Sequence, residues 1–292
     1  MIRKAVIPAA GFGTRFLPAA KSQPKEMLPI VDKPVIQFVV EEAVSAGITD
    51  ILMIIGKGKR SIEEHFDRNF ELEKELEEKN KKEELEILRK ISNLAEVHFV
   101  WQKELRGLGD AIYCARYHVG NEPFAVLLGD TLIESDTPVT LHLMQAYERY
   151  SECVVALEEV ERSKVERYGV ISGREIEKSI FLINDFVEKP SIHDAPSNLA
   201  IAGRYILTPD IFDAIAKTTY GKNNEIQLTD AMRTLVKQRA MYGLKFAGRR
   251  HDIGNKLDFI KTNIWYALKR EDMRNEVRSF ISNILSGKED PF

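Results

Sequence analysis

Short apolar segments that alternate with segments of helical period are the feature that most constrains the fold of this 292-residue chain. KAVIPA and DILMIIG, at residues 4–9 and 50–56, are rich in Val and Ile, as buried strands are. Between them, the apolar residues of PVIQFVVEEAVSAGI recur at helical spacing. Because parallel strands need a crossover connection, this order predicts a βαβ unit.

The alternation continues to about residue 160 and then changes. EVHFVWQ, PFAVLLGD and ECVVALEEV predict further strands, with helices predicted between them. Strand-like runs separated by turns follow and predict a β-rich insertion packed on the same sheet. Helices are then predicted at residues 210–218, 226–241 and 255–285, with a strand at YGLKFAG between the last two. We therefore expect an α/β fold: a doubly wound, mostly parallel, Rossmann-like sheet with a β-rich insertion and carboxyl-terminal helices, in one domain spanning residues 1–292.

The composition excludes several classes of partner. A formal net charge of −3 leaves no basic excess to neutralise a nucleic-acid backbone. No apolar run approaches the ~18 residues that a membrane span needs, and the amino-terminal run stops at Gly11, too early for a signal peptide. Two cysteines without CxxC spacing fit a reducing compartment. We expect a cytoplasmic protein that binds neither nucleic acid nor membrane.

Residues 71–90, ELEKELEEKNKKEELEILRK, carry many charges of both signs. Such a run is typical either of a disordered tail or of a long solvated helix. Leu72 with Leu76, and Leu85 with Leu88, keep helical spacing, which favours a helical excursion without a catalytic role.

The glycine loop AAGFGTRFLP, residues 9–18, follows the first predicted strand. A Walker loop requires GxxxxGK and a dinucleotide loop requires GxGxxG, and Phe16 occupies the position where either motif needs its last glycine. What remains is a glycine-bearing loop with Arg15, Lys21 and Lys25 in a proline-rich segment. Backbone N–H groups and cations of this kind suit a triphosphate, although an ordinary turn with solvated basic residues has the same pattern.

The longer string AAGFGTRFLPAAKSQPKEMLPIVDKPVIQ, residues 9–37, resembles the sugar-phosphate nucleotidyltransferases. It is similar to the bacterial branch that transfers uridylyl groups, whose chains open AAGxGTRxLPxTKxxPKEMLPI. Thymidylyltransferases typically begin GGxGTRL and continue KQLLP. Ala20 departs from the usual Thr, which puts only local hydrogen bonding in doubt.

Two carboxylates are candidate metal ligands. Asp130 ends the buried run LLGD, at the strand end where open α/β sheets bind ligands, although a cap or turn residue is the alternative interpretation. Asp252, in HDIGNK, follows the strand-like segment YGLKFAG. The resemblance to the family motif [FY]-D-x-G implies that both hold Mg²⁺, with His251 in place of the usual aromatic residue and Asn255 where small residues are common.

The resemblance also implies the binding residues. FVEKP places Glu188 and Lys189 on alternate sides of a strand, for the hexose and its phosphate, and RYGVI offers Gly169 to the sugar. In WQKELRGLGDAI, Gln102 can pair with the edge of uracil, although a turn before a helix is the plainer interpretation. The residues expected to frame the nucleotide are Ala10, Gly11, Gly13, Glu26, Gln102 and Gly107.

The resemblance implies a reaction in which glucose 1-phosphate attacks the α-phosphorus of UTP and gives UDP-glucose and pyrophosphate. Catalysis is expected from Mg²⁺ and the cations Arg15, Lys25 and Lys189. Residues 1–160 then form a nucleotide-binding half, 161–253 a sugar-phosphate-binding half, and 254–292 helices suited to a homo-oligomer, a dimer or tetramer. The alternatives are a glucose-1-phosphate thymidylyltransferase and an inactive nucleotide-sugar-binding module.

Overall fold

A computed structural model describes residues 2–287 and gives the bounds of the helices and strands. The strands are β1 (Lys4–Ala9), β2 (Pro29–Ile30), β3 (Lys33–Pro34), β4 (Asp50–Ile55), β5 (Glu96–Trp101), β6 (Phe124–Leu127), β7 (Thr131–Glu134), β8 (Val154–Glu159), β9 (Gly169–Glu177), β10 (Ile180–Glu188), β11 (Leu199–Leu207), β12 (Tyr242–Lys245) and β13 (Arg249–Asp252). The helices are α1 (Val35–Ser45), α2 (Arg60–Phe66), α3 (Phe70–Glu78), α4 (Lys82–Ser92), α5 (Leu108–Tyr113), α6 (Arg116–Val119), α7 (Val139–Tyr150), α8 (Asp210–Lys217), α9 (Leu228–Leu235), α10 (Lys256–Lys269) and α11 (Arg274–Leu285).

The central sheet of this described part has the strand order β5-β4-β1-β6-β11-β8-β12-β10-β9. Strands β5, β4, β1 and β6 are parallel, as the amino-terminal pattern predicts. Strand β11 is antiparallel to both β6 and β8, and β10 is antiparallel to both β12 and β9. The sheet is therefore mixed, which corrects the expectation of a mostly parallel one. The β-rich insertion does not lie on the sheet but supplies strands to it.

Both faces of the sheet are buried. Val6, Leu52 and Ile54 lie in the core on the face that α5, α6, α8 and α9 cover. Ile51 and Met53 alternate with them and pack with α1 and α7 on the other face. Burial on both faces explains why these strands appear in the sequence as continuous apolar runs rather than as alternating patterns.

The charged segment 71–90 is helical, as its leucine spacing predicts, but it forms α3 and α4 instead of one helix. Asn69 caps α3 by accepting a hydrogen bond from the backbone N–H of Leu72. Asn80, with a φ of 54°, reverses the chain between the two helices. Leu85 is the buried residue of α4.

The carboxyl-terminal helices α10 and α11 are also where the sequence predicts them, and residues 288–292 of the predicted segment lie outside the described residues. A small core of Phe16, Leu132 and Ile253, which Phe259 of α10 contacts, attaches α10 to the glycine loop and to β7. The helices described in residues 2–287 are all too short or too polar to cross a membrane.

One buried arginine supports the centre of the sheet. The Arg204 side chain, on β11, is 1% exposed and lies 2.7 Å from the carboxylate of Glu42 on α1. It also donates hydrogen bonds to the carbonyl oxygens of Thr131, at 2.7 Å, and of Gly203, at 3.0 Å. Strand β11, which lies between β6 and β8, thus fixes the segment that carries Asp130 through its Arg204 side chain.

Removal of the Arg204 guanidinium would leave the largely buried Glu42 carboxylate with its hydrogen bonds from Thr140 but without its ion-pair partner. We expect Arg204→Ala to lower the free energy of unfolding by about 3–5 kcal/mol. Arg233→Ala, which breaks a half-exposed pair with Asp185, serves as the matched control and should cost about 1 kcal/mol or less. Urea denaturation measures both, and equal losses in the two variants would contradict the structural role of Arg204.

Candidate active site

The loops that follow β1, β5 and β6 meet at the carboxyl edge of the parallel strands and enclose a cavity of about 480 Å³. This is where an open α/β sheet binds its ligands. The cavity lining includes the predicted residues Ala10, Gly11, Gly13, Lys25, Glu26, Gln102, Gly107 and Asp130. The structure therefore brings together all the residues predicted for the nucleotide, with one predicted cation and one predicted metal ligand.

The two glycines of the loop have different surroundings. A Cβ atom on Gly11 would meet nothing within 4 Å, so the backbone there is open to a ligand. Gly13 has a φ of 66°, and a Cβ atom on it would lie 3.1 Å from the Cβ atom of Lys25. Gly13 thus makes room for the Lys25 stem while it adopts a backbone conformation that side chains disfavour.

Lys25 and Asp130 form an ion pair of 2.5 Å in the cavity. Burial alone would lower the pKa of Lys25, but the charges of Asp130 and Glu26 outweigh it and hold that pKa above its ordinary value. Burial would likewise raise the pKa of Asp130, yet the Lys25 ammonium and the more distant Arg204 hold it below the ordinary value. Both groups are therefore charged at neutral pH.

The backbone of the second candidate metal ligand lies next to that of the first, but Asp252 lines a separate cavity from that of Asp130. Strands β7 and β13 form a two-stranded antiparallel ribbon in which Asp252 is opposite Thr131, the residue after Asp130. The backbone N–H of Ile253 donates to the carbonyl oxygen of Asp130 at 3.1 Å. Asp252 is thus not at the end of the YGLKFAG strand, which is β12, but at the end of a separate strand that returns to the site.

Asp252 has two donors of its own. The Tyr168 hydroxyl donates to Oδ2 at 2.9 Å, and the backbone N–H of Gly254 donates to Oδ1 at 2.9 Å. Burial raises the pKa of Tyr168 to about 12, so this hydroxyl keeps its proton at neutral pH. Arg15 reaches the same turn, where its Nη1 lies 3.5 Å from the carbonyl oxygen of Gly254. Arg15 thus lies near the turn after Asp252, and its charge also acts on Lys25, whose raised pKa it partly offsets.

His251, which replaces the family's usual aromatic residue, is buried and packs as one. Its ring lies 5.5 Å from the ring of Tyr266 and 6.3 Å from that of Trp265, measured between centroids. Burial, aided by Arg249, lowers its pKa to about 4, so the imidazole is neutral. This replacement therefore preserves the packing behind Asp252.

A second buried ion pair lies behind the glycine loop. Lys59 Nζ is 2.7 Å from Glu26 Oε2, and both side chains are buried. Burial raises the pKa of Glu26, against the opposing effect of Lys59 and Lys25. Lys59 follows β4 in the segment GKGKR, and its only sequence signal is that position after a strand. Sequence reasoning missed it.

The orientation of the Gln102 amide is fixed by its partners. Its Nε2 donates to the carboxylate of Asp110 at 2.8 Å and to the carbonyl oxygen of Gly107 at 3.2 Å. Because both partners can only accept, the amide oxygen of Gln102 remains the group available as an acceptor. Gly107 has a φ of 107°, and a Cβ atom on it would lie 2.7 Å from the carbonyl oxygen of Ile226, so this position requires glycine.

The predicted sugar-phosphate residues form a second group. Glu188 ends β10, and Lys189 follows with a φ of 45°. Their head groups lie 3.0 Å apart, so the two side chains do not point to opposite sides as a continuous strand requires. Thr229 donates to Glu188 at 2.6 Å. A Cβ atom on Gly169 would lie 3.0 Å from the Thr229 oxygen, so its missing side chain already makes room for that contact.

Tyr205 links the two groups electrostatically. Burial raises the pKa of this tyrosine above its ordinary range, and the charges of Glu188 and Asp130 raise it further while Arg204 opposes them. Both carboxylates therefore act on one buried hydroxyl. The partners that sequence reasoning missed share one property: each supports a predicted residue or its neighbour, and all except Asp110, which lies eight residues from Gln102, come from a distant part of the chain. They are Lys59, Asp110, Tyr168, Arg204 and Thr229.

Comparison with known proteins decides the family. The family model described as "Nucleotidyl transferase" matches residues 4–267, which include all of the site described above. The chain belongs to the nucleotidyl transferase family. This assignment confirms the resemblance that the string from residue 9 to 37 carries.

Named relatives of this nucleotidyltransferase are similar over nearly its whole length. The UTP–glucose-1-phosphate uridylyltransferase 1 of Staphylococcus saprophyticus is 52% identical over 97% of this chain and 99% of its own. The UTP–glucose-1-phosphate uridylyltransferase of Bacillus subtilis is 48% identical over 99% of both chains. A crystal structure of UDP-glucose pyrophosphorylase complexed with UDP-glucose matches with a TM-score of 0.85 and 47% identity, covering 92% of this chain and 100% of that one.

The Lys59 and Glu26 pair gives a pH-dependent prediction. Lys59→Met removes the charge that opposes the burial effect, so the pKa of Glu26 in the folded protein rises further. Stability is then lost as pH rises above the unfolded carboxyl pKa of about 4.3, because the unfolded chain releases a proton that the folded one retains. We expect a loss of about 3 kcal/mol at pH 7 and a smaller loss at pH 5.

Urea denaturation at several pH values measures the effect, with Lys57→Met at the neighbouring exposed position as the control. The Lys57 variant should differ little from the parent protein at every pH. A loss for Lys59→Met that does not vary between pH 5 and pH 7 would contradict the predicted coupling to Glu26.

Proposed function

We propose that this nucleotidyltransferase transfers the uridylyl group of UTP to α-D-glucose 1-phosphate, giving UDP-glucose and pyrophosphate. The observation that carries the proposal is that one cavity contains the open glycine loop, the Lys25–Asp130 pair and the oriented amide of Gln102. The names of the full-length relatives support the same substrates. They do not favour a thymidylyltransferase or an inactive binding module.

Gln102 is proposed to select the base. Its amide oxygen is an acceptor and therefore suits the N3–H donor of uracil, whereas N3 of cytosine is itself an acceptor. Ala10, Gly11 and Gly107 are proposed to lie along the ring and the ribose with backbone atoms. Gly13 and Glu26 are proposed to frame the phosphates, Gly13 through its N–H and Glu26 through its pairing with Lys59.

The sugar phosphate is proposed to bind at Gly169, Glu188 and Lys189. Thr229 holds one oxygen of the Glu188 carboxylate, which leaves the other oriented to accept from a sugar hydroxyl. The Lys189 ammonium is proposed to exchange its contact with Glu188 for the phosphate. The positive φ at Lys189 turns this ammonium back toward the Glu188 head group instead of away from it.

Mg²⁺ is the proposed cofactor, and Asp130 and Asp252 would hold it. The β7–β13 register supports this fit, because it brings the backbone of Asp252 next to that of Asp130, and Mg²⁺ binds one or two carboxylates plus phosphate oxygens. When bound, the ion neutralises phosphate charge that builds up during transfer.

The chain's own residues are proposed to act by position and charge. The nucleophile is an oxygen of glucose 1-phosphate, which is already anionic near neutral pH, so no general base is needed. Repulsion between two anions is the main obstacle, and Arg15, Lys25 and Lys189 offset it while holding the acceptor in line with the α-phosphorus. Pyrophosphate then leaves without a covalent enzyme intermediate.

Pyrophosphate release tests the proposed function. Purified protein with Mg²⁺ and glucose 1-phosphate is supplied in turn with UTP, dTTP, CTP, ATP or GTP, each with a control that lacks the sugar. We expect sugar-dependent release that is strongest with UTP and weak with CTP. Preference for dTTP would move the chain to the thymidylyltransferases, and binding of UDP-glucose without any release would favour the inactive module.

Two substitutions separate the proposed roles of the site residues. Asp130→Asn should lower kcat by about 100-fold, since it removes a ligand that acts on the transferring phosphate. Lys189→Ala should raise the KM for glucose 1-phosphate by roughly 10-fold or more, through loss of a charged contact. Lys178→Ala, an exposed lysine near the same hairpin, is the matched control. Parental kinetics in the first two variants would refute the assignment.

The proposal includes a homo-oligomer, a dimer or tetramer. Helices α10 and α11 expose large apolar side chains, which the sheet does not cover: Leu257, Ile260, Ile264, Phe280 and Leu285. Apolar surface of this kind is typical of an interface between identical chains. The division into a nucleotide half (1–160), a sugar-phosphate half (161–253) and oligomerising helices is part of the same proposal.

The cytoplasm is the proposed compartment. Cys114 and Cys153 are both free thiols, as proteins of reducing compartments usually have.

A further inference from the structure

Two histidines and one aspartate meet at the amino edge of the sheet, away from the candidate active site. His118 Nε2 lies 2.8 Å from Asp50 Oδ1, and His98 Nε2 lies 3.8 Å from the same oxygen. The three ligand atoms all lie within 4.8 Å of one another. The uridylyl transfer proposed above uses none of these residues.

The fold determines this meeting. Asp50 begins β4, and His98 on β5 is the strand neighbour of Leu52, which places both side chains on the face covered by α6. His118 lies on α6. Lys4 fixes that helix by donating to the carbonyl oxygens of His118 and Val119, at 3.1 Å and 3.3 Å. Three separate elements thus hold the three side chains in place.

The distances are close to those of a tetrahedral metal site. With metal–ligand bonds of about 2.0–2.1 Å, neighbouring ligand atoms lie about 3.3 Å apart. The two histidine-to-aspartate distances lie on either side of that value, and the side chains are partly exposed, so small rotations of the side chains complete the geometry. Without a cation, the 3.8 Å contact is too long for a hydrogen bond, and the two imidazoles compete for one oxygen.

The donor set indicates the class of metal. Imidazole nitrogens with one carboxylate suit Zn²⁺ and similar divalent transition metals, whereas Mg²⁺ and Ca²⁺ prefer oxygen ligands alone. Three protein ligands leave a fourth position for water. We propose that Asp50, His98 and His118 form a binding site for a divalent transition metal such as Zn²⁺, which links the edge strand β5 and helix α6 to β4.

The site is separate from the phosphate chemistry. Asp50 is the first residue of β4, whereas the residues that follow the last residue of this strand approach the glycine loop. A Cβ atom on Gly56 would lie 2.7 Å from the Ala10 carbonyl oxygen. Five strand steps of about 3.3 Å put these two ends roughly 16 Å apart. Zinc bound at Asp50 is therefore expected to raise thermal stability without a direct contact with substrates.

Calorimetric titration of Zn²⁺ into tag-free, metal-depleted full-length protein tests the proposal, in buffer with millimolar Mg²⁺ to occupy the carboxylate site. We expect one Zn²⁺ per chain at this site and a Tm that rises with added zinc. His98→Ala, His118→Ala and Asp50→Asn should each weaken binding by about 10-fold or more, since loss of even an indirect partner costs about 10- to 100-fold. His193→Ala, at an exposed turn position, should bind like the parent protein.

Circular dichroism and the Tm without metal show whether each variant is folded, and His98→Gln and His118→Gln replace any alanine variant that is not. Zinc held elsewhere would appear as binding that persists in the double variant His98→Ala with His118→Ala. If either histidine can be removed without at least the ~10-fold loss, or if the parent protein fails to bind zinc one-to-one at micromolar concentration, the proposal is wrong. Neither outcome bears on uridylyl transfer, which the pyrophosphate assay tests separately.

Discussion

The ion pair between Lys25 and Asp130 is the interaction on which the site depends. It joins the proline-rich loop after β1 to the strand end after β6, two segments more than 100 residues apart in the chain. Each partner moves the pKa of the other in the direction that keeps it ionised, against the effect of burial. A charged carboxylate can therefore remain at the bottom of a cavity, ready for a cation or an anion to replace one partner of the pair.

The arrangement around this pair depends on support from outside the cavity. Arg204 fixes the carbonyl oxygen of Thr131, and the β7–β13 ribbon then determines where Asp252 lies. Ile253 and Phe259 pack in the small core that holds α10 against Phe16 of the glycine loop. The carboxyl-terminal helix is thus connected to the proposed metal ligands by packing, and a change in how α10 docks would alter the site geometry.

Local pattern in the sequence predicted the parallel strands and the helices, because each depends on neighbours within a few positions, whereas the family resemblance supplied most of the residues at the carboxyl edge. Gln102 and Asp130 lie within three residues of the ends of strands that are parallel, so their meeting follows from topology. Lys25 lies sixteen residues after β1, and topology alone does not place it. The entry of β11 between β6 and β8, and the return of Asp252 on β13, depend on pairing over long distances in the chain. The turn at Lys189 and the partner Lys59 have no repeating pattern that reveals them.

The two ends of the parallel strands differ in how they gather side chains. At the carboxyl end, long loops carry glycines and cations toward a cavity. At the amino end, Asp50 and His98 are strand residues and His118 lies on a helix that Lys4 fixes. Between the two ends, β4 is buried on both faces, so its backbone has little freedom to shift. A cation at the amino end would therefore stabilise the sheet edge, while the side chains at the carboxyl end are positioned by loops and by their partners rather than by strand register.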